Sequence, residues 1–214
     1  MRNRIAQHQL NGRLALPRIQ ARRESDVQPP RRRQLLEILG MKFTVVPSEA
    51  EETPSPGEEP LSYAARAARD KALDVAAGRP GHLVLGADTV VEVDSEILGK
   101  PASAADAAEM LRRLSGRSHM VHTAVVLAAN GVVHQAADSA RVEFIDLEDE
   151  KIRWYVATGE PMDKAGAYAV QGLGGLLVAR VDGSPNTVIG LPVHRLPELF
   201  TAHGLDFWSR LAEF

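Results

Sequence analysis

Cysteine is absent from all 214 residues, which excludes disulfides, thiolate zinc sites and cysteine nucleophiles. That fits a reducing compartment, and a cytoplasmic location is the expectation. Aromatic residues are scarce, at 5%, so the core must be built from aliphatic side chains. No apolar run reaches the length of a membrane span, and residues 1–20 lack the apolar stretch of a signal peptide. Neither the Walker spacing nor the dinucleotide-binding glycine fingerprint occurs.

What is present suits one α/β domain, or one domain with two lobes. Hydrophobic residues make up 44% and charged residues 25%, both ordinary for a globular chain. Charge is unevenly spread. Residues 1–33 hold nine arginines against two acids, a balance of +7, so the remainder carries −3 − 7 = −10. A basic start with little hydrophobic periodicity reads as a poorly ordered extension over residues 1–29. A transit peptide, a nucleic-acid contact and a segment foreign to the folded domain are the sharper alternatives, with nucleic acid the least favoured. The folded domain is expected over 30–205, with a short tail at 206–214.

Periodicity places the elements. Leu35, Leu36 and Leu39 have helical spacing and Gly40 is a C-cap candidate. Lys42–Val46 is a short strand candidate, and the proline- and glutamate-rich residues 47–60 form a loop. Ser62–Ala77 predicts a helix ending at Gly78, and His82–Val93 one or two strands with a turn at Asp94-Ser95. Ser103 caps a helix over Ala104–Leu114, ended by Gly116. Val121–Ala129 and Val132–Ala136, joined by Asn130-Gly131, predict a hairpin that Val142–Ile145 extends. Asp146–Ala157 is a helix, Leu176–Val181 and Thr187–Ile189 are strand candidates, and Pro192 opens a last helix to about Ala202. Alternating helices and strands with hairpins among them predict a mixed, twisted sheet flanked by helices.

Asp88 carries the most chemical information. It sits inside Leu83-Val84-Leu85-Gly86-Ala87-Asp88-Thr89-Val90-Val91, and a buried carboxylate must be paired, metal-bound or placed at a cleft. The small pair Gly86-Ala87 before it lets something approach the backbone closely. Lys100 follows across the next turn, so an acid and a lysine bracket one strand pair, as a site for a phosphorylated ligand and its metal requires. Pro30-Arg31-Arg32-Arg33 at a helix start could grip an oxyanion, though on spacing alone a solvated basic turn is the favoured reading. Glu49, Glu51 and Glu52 could hold Mg²⁺ or form a solvated acidic loop. Lys71, on an alanine-rich helix, says nothing alone. In Asp163–Gly175, glycines flank a lysine, a tyrosine and Gln171, whose amide could read a base edge; a tight structural loop stands level with that reading. His119 and His122, three apart on a strand, point to opposite faces and read as structural.

Together these segments resemble the Maf family of nucleoside triphosphate pyrophosphatases. Pro30-Arg31-Arg32, Glu52, Leu61–Lys71, Gly86–Val91, Gly99-Lys100-Pro101, Ala108–Arg117, Asp163–Gly172 and Val188–Pro192 carry the resemblance, in order, over about residues 30–200. It implies a mixed α/β fold with two lobes around a cleft, shaped like inosine triphosphate pyrophosphatases, and often a homodimer. It also implies hydrolysis between the α- and β-phosphates with a divalent metal, Mg²⁺ or Mn²⁺. The Ala-Asp-Thr and Asp-Lys-Ala-Gly-Ala-Tyr…Gln-Gly pieces look like the subgroup acting on dTTP and UTP. By the same resemblance Asp88 is the proton acceptor and Glu52, with Asp88, a metal partner. Arg31, Lys71 and Lys100 offset triphosphate charge, and Arg32, Thr89 and Gln171 select the base.

One stretch departs from the pattern. The family usually opens with an apolar strand running into Ser-Pro-Arg-Arg, whereas residues 23–30 here offer only Val27 as a strongly apolar side chain, with Pro29 in the serine's place. Pro29 brings neither a hydroxyl nor a backbone N–H. A degenerate, non-catalytic nucleotide-binding protein is therefore the alternative function. Asp88, Lys100 and Gln171 argue for the enzyme.

Overall fold

Leu35, Leu36 and Leu39 do turn one face inward. In the structure, a computed structural model that describes residues 30–211, they belong to or follow helix α1 (Pro30–Ile38), which Gly40 ends at a φ of 66°. The weak first strand expected around residues 23–29 lies outside the described residues, as does the whole basic extension over residues 1–29. Helix α2 (Pro60–Ala77) starts on a proline whose fixed φ suits a first turn, and it buries Ala64, Ala67, Ala68 and Ala72.

Among the described residues, five strands form one sheet in the order β2-β1-β3-β4-β5: β1 (Val84–Val93), β2 (Glu96–Leu98), β3 (Ser118–Ala129), β4 (Val132–Phe144) and β5 (Val178–Asp182). Every ladder is antiparallel, where a mixture was expected. The α/β architecture of one sheet with flanking helices holds. Both hairpin turns use the left-handed region, Asp94 and Ser95 at φ 53° and 64°, Asn130 and Gly131 at 50° and 79°, which matches the twist of the strands they join.

Helices cover both faces. On β3, Ala124, Val126 and Ala128 pack with α2, while Val125 and Leu127 pack with α1 and helix α6 (Leu196–Ala202). Burial on both sides explains why β3 reads as a continuous apolar run instead of alternating. A further core gathers under α3 (Ala104–Leu114) and α4 (Asp149–Ala157), where Leu111, Ile152 and Tyr155 are buried. Ser103 caps α3 as expected, accepting from the Asp106 N–H at 3.1 Å.

Three expectations fail, two for tertiary reasons and one for a local one. Lys42–Val46 enters no strand; its apolar residues instead line a cavity of about 150 Å³ with Leu36, Val75 and Leu83–Ala87. Strand propensity is realised only against a partner edge, and none is paired to it among the described residues. Thr187–Ile189 is helical, in α5 (Pro185–Ile189), because Pro185 presets a helical first turn and Gly190, at φ 110°, terminates it. Finally, the segment set apart as a tail contributes to the core, since Phe207 is buried against Phe200 at a ring separation of 5.2 Å.

Candidate active site

Alternation along β1 sorts the site. Even-numbered Val84 and Val90 pack with α2, while odd-numbered Leu85 and Ala87 pack with α1 and Val91 and Val93 with the α3–α4 core, so adjacent Asp88 and Thr89 serve opposite sides of the sheet. Gly86 is what lets α2 come near. A Cβ there would lie 2.6 Å from the Ala68 carbonyl oxygen and 2.8 Å from the Ala72 Cβ. The close approach predicted at Gly86-Ala87 is therefore made by helix α2, and it brings Lys71 down onto β1.

Lys71 is only 9% exposed, despite sitting on an alanine-rich helix. Its Nζ donates to Asp88 Oδ1 at 2.6 Å and lies 3.0 Å from Glu52 Oε1. Glu52 reaches in from the loop before α2, and its other oxygen stands 3.6 Å from Lys100 Nζ, just past β2. Desolvation pushes the Glu52 carboxyl up, but the charges and hydrogen bonds of Lys71 and Lys100 outweigh it, and the group stays below the usual range. Two lysines and two carboxylates thus alternate along one wall.

The opposite wall comes from the first turn of α1. Arg32 donates through Nε to the Gly190 carbonyl at 2.7 Å and through Nη2 to Thr89 Oγ1 at 3.0 Å. Arg31 points toward a second acidic group. Burial lowers its pKa, and Asp163, Tyr155 and Glu160 offset part of that shift. The Arg31 Nε is buried without a hydrogen-bond partner among the described residues. Asp163 is pushed up by desolvation and brought down further by Lys164, which contacts it directly, and by Arg31.

These groups converge on one cavity of about 880 Å³, a volume suited to a nucleotide-sized ligand. Arg31, Arg32, Lys71 and Lys100 line it against Glu52, Asp88 and Asp163, four cations to three carboxylates. Val91, Leu98, Val121 and Tyr168 belong to the α3–α4 core, Tyr63 and Val90 to the α2 core, and all line it too. The cavity thus opens where two cores meet, as a cleft between two lobes requires.

Of the residues picked out in the sequence, the structure brings Arg31, Arg32, Glu52, Lys71, Asp88, Thr89 and Lys100 together. Gln171 is exposed and is not among the lining residues. The glycine-rich segment touches the cavity through Asp163, Ala165 and Tyr168 instead. Glu160 organises that loop: it accepts from the Tyr155 hydroxyl at 2.8 Å and from the backbone N–H groups of Gly174 and Leu173 at 2.9 and 3.1 Å. Sequence reasoning passed over Glu160, Asp163 and Tyr63 as site-forming groups; only the glycines around 166–175 hinted that a loop there needed an anchor. His119 and His122 hold opposite faces of β3, the first bonded to Tyr168 Oη at 2.8 Å, the second to Ser139 and Glu92 at 2.7 Å each.

A cleft on an α/β fold lined by four cations, with three carboxylates interleaved, defines a site for a phosphate-bearing small molecule. Residues 28–203 match the family described as Maf-like protein, and the chain belongs to that family. It is 47% identical over 188 residues to a dTTP/UTP pyrophosphatase of Anaeromyxobacter dehalogenans, covering 86% of this chain and 95% of that protein. A dTTP/UTP pyrophosphatase of Symbiobacterium thermophilum is 46% identical over 84% of this chain and 93% of its own length. One from Nitratidesulfovibrio vulgaris is 49% identical, over 82% and 84% respectively. Among the described residues no helix is long and apolar enough to cross a membrane.

Proposed function

We propose that this chain is a nucleoside triphosphate pyrophosphatase that hydrolyses dTTP and UTP to the monophosphate and pyrophosphate. The observation that carries the reading is the convergence of four cations and three carboxylates on one nucleotide-sized cleft, with a buried, unpartnered Arg31 Nε on its wall. Relatives 46–49% identical over most of the chain and named dTTP/UTP pyrophosphatase supply the substrate class.

Charge neutralisation is the main demand of transfer at a phosphate, and the cations are placed for it. Arg31 has an N–H to spare, Lys100 is exposed at the mouth, and Lys71 sits deepest. Asp88 is the proton acceptor. Lys71 engages its Oδ1 and leaves the second carboxylate oxygen to take a proton from the attacking water. Arg32 and Thr89, on the other face of β1, would meet the base edge.

Glu52 and Asp88 would hold a divalent cation, Mg²⁺ or Mn²⁺. Among the described residues no cluster of three or more acidic or histidine side chains forms a metal cage. Two carboxylates still fit a cation that keeps waters and takes its remaining oxygens from substrate phosphate. Bound there, it would add positive charge to the phosphates under attack. A homodimer and a cytoplasmic location complete the reading.

The test is pyrophosphate release from a panel of nucleoside triphosphates with Mg²⁺ or Mn²⁺. Release from dTTP and UTP well above release from CTP and GTP is the expected result. Nucleotide binding without turnover would replace the enzyme by the degenerate binding protein; Arg31 and Arg32, carried into the cleft by α1, speak against that outcome.

A further inference from the structure

We infer that Thr123 and Thr187 are positioning residues that lock the Arg32–Thr89 pair, through a one-way line of hydrogen bonds running across three strands. Thr89, Thr123 and Asp138 are register neighbours on β1, β3 and β4. Thr123 and Thr187 have no exposed surface and do not themselves line the cleft. Buried hydroxyls in an aliphatic core cost stability unless paired, so their retention asks for an account.

The direction of every bond follows from which atoms have protons. The Thr187 carbonyl can only accept, so the Thr123 hydroxyl donates to it, at 2.7 Å. Thr123 then has no proton left, and across 2.9 Å the Thr89 hydroxyl must donate to Thr123. Thr89 consequently has only lone pairs to offer Arg32, a guanidinium that can only donate, and that bond measures 3.0 Å. The second anchor of Arg32, the Gly190 carbonyl at 2.7 Å, ends the same short helix α5 that provides the Thr187 carbonyl. Thr187 is tied in turn by its own hydroxyl to Asp138, whose Oδ2 also lies 3.6 Å from His194 Nε2 at the surface. Helix α5 is thus pinned to β4, and from it both anchors reach Arg32.

The consequence is chemical. With the Thr89 proton spent inside the sheet, the pair presents N–H groups of Arg32, and no competing hydroxyl proton, to a ligand. That favours a carbonyl edge over an amino edge, so the line contributes to discrimination of a uracil or thymine base from cytosine. This last step rests on the proposed function; the positioning of Arg32 does not.

Thr123→Val removes the hydroxyl at nearly constant shape, and Thr123→Ser returns it. Two readouts separate the claims. Exchange of the Arg32 Nε proton with solvent, followed by ¹⁵N NMR and assigned with Arg32→Lys, reports positioning. The ratio of kcat/KM for UTP over CTP reports discrimination. Thr123→Val should speed the exchange tenfold or more and lower the ratio about five- to tenfold, the worth of one neutral hydrogen bond, while Thr123→Ser restores both. Unchanged exchange in Thr123→Val overturns the inference, whatever the kinetics. An unchanged ratio with faster exchange removes the discrimination step alone. If the unmutated protein turns over no nucleotide, the proposed function falls and the exchange rate still decides. Should Thr123→Val fail to fold, Asp138→Asn loosens α5 from the far end and must shift exchange the same way, by a smaller factor.

Discussion

Replacing Asp88 by asparagine is the sharpest perturbation available, because it changes charge and basicity while keeping shape. Two effects follow from the same contact. Asparagine cannot accept the water's proton, and loss of a positioned general base costs about 10²–10⁴-fold in rate. The fall should appear in kcat, since Arg31, Lys71 and Lys100 still bind the phosphates. The second effect is on stability. Lys71 loses its 2.6 Å partner but keeps Glu52 at 3.0 Å. A buried charge stripped of all partners costs about 3–5 kcal/mol, so with one carboxylate and the asparagine carbonyl remaining the cost should be about 1–2 kcal/mol. For a chain of this size that is a drop of about 2–8 °C in Tm. Pyrophosphate release at saturating UTP with thermal melting of the same preparations measures both. A variant whose kcat stays within about threefold of the unmutated value would refute the assignment of Asp88 as base. A fall in kcat accompanied by an unchanged Tm would refute the account of Lys71.

Three further outcomes are expected. Gly86→Ala drives a methyl into the Ala68 carbonyl and the Ala72 side chain, which should cost about 1–3 kcal/mol in denaturant unfolding and lower kcat as well, because the displaced helix carries Lys71. His119 is buried and held neutral, its pKa lowered to about 4, so between about pH 6.5 and 4 the unfolded chain takes up a proton that the folded chain refuses. Stability should therefore fall as pH drops through that window, and His119→Gln should flatten that part of the profile in melts taken at stepped pH. Gln171→Ala, outside the cleft lining, should leave the UTP over CTP ratio within about threefold; a larger loss would mean that the exposed loop turns inward when a nucleotide binds.

How much of this was legible beforehand depends on the range of the forces involved. Helix caps and turns are local: Ser103, Gly40, Gly78 and Asn130-Gly131 stand where the residue types place them, because φ preference and side-chain capping act within a few residues. Asp88 was legible for a different reason. An acid in an apolar run violates the cost of burying charge, and such a violation points to function without any knowledge of the fold. Family motifs then supplied Glu52, Lys71 and the arginines, none of which stands out from composition.

Long-range packing decided the rest. Lys71 looked like a solvent-facing lysine until Gly86 brought α2 onto β1, a contact set by steric fit between residues 68–72 and 86. Lys42–Val46 has the composition of a strand but no partner edge among the described residues, while Thr187–Ile189, though β-branched, is a local exception, wound into a helix between Pro185 and Gly190. The threonine line could not be read from the chain at all, since its hydroxyls are 34 and 64 residues apart and meet only in the register of β1 on β3 and the docking of α5. The sequence by itself thus determined which residues can cap, turn, titrate and carry charge, because those properties belong to single side chains and their near neighbours. Which of them face one cleft, and which cation each carboxylate meets, was decided only when antiparallel pairing and helix packing brought distant residues within hydrogen-bonding reach.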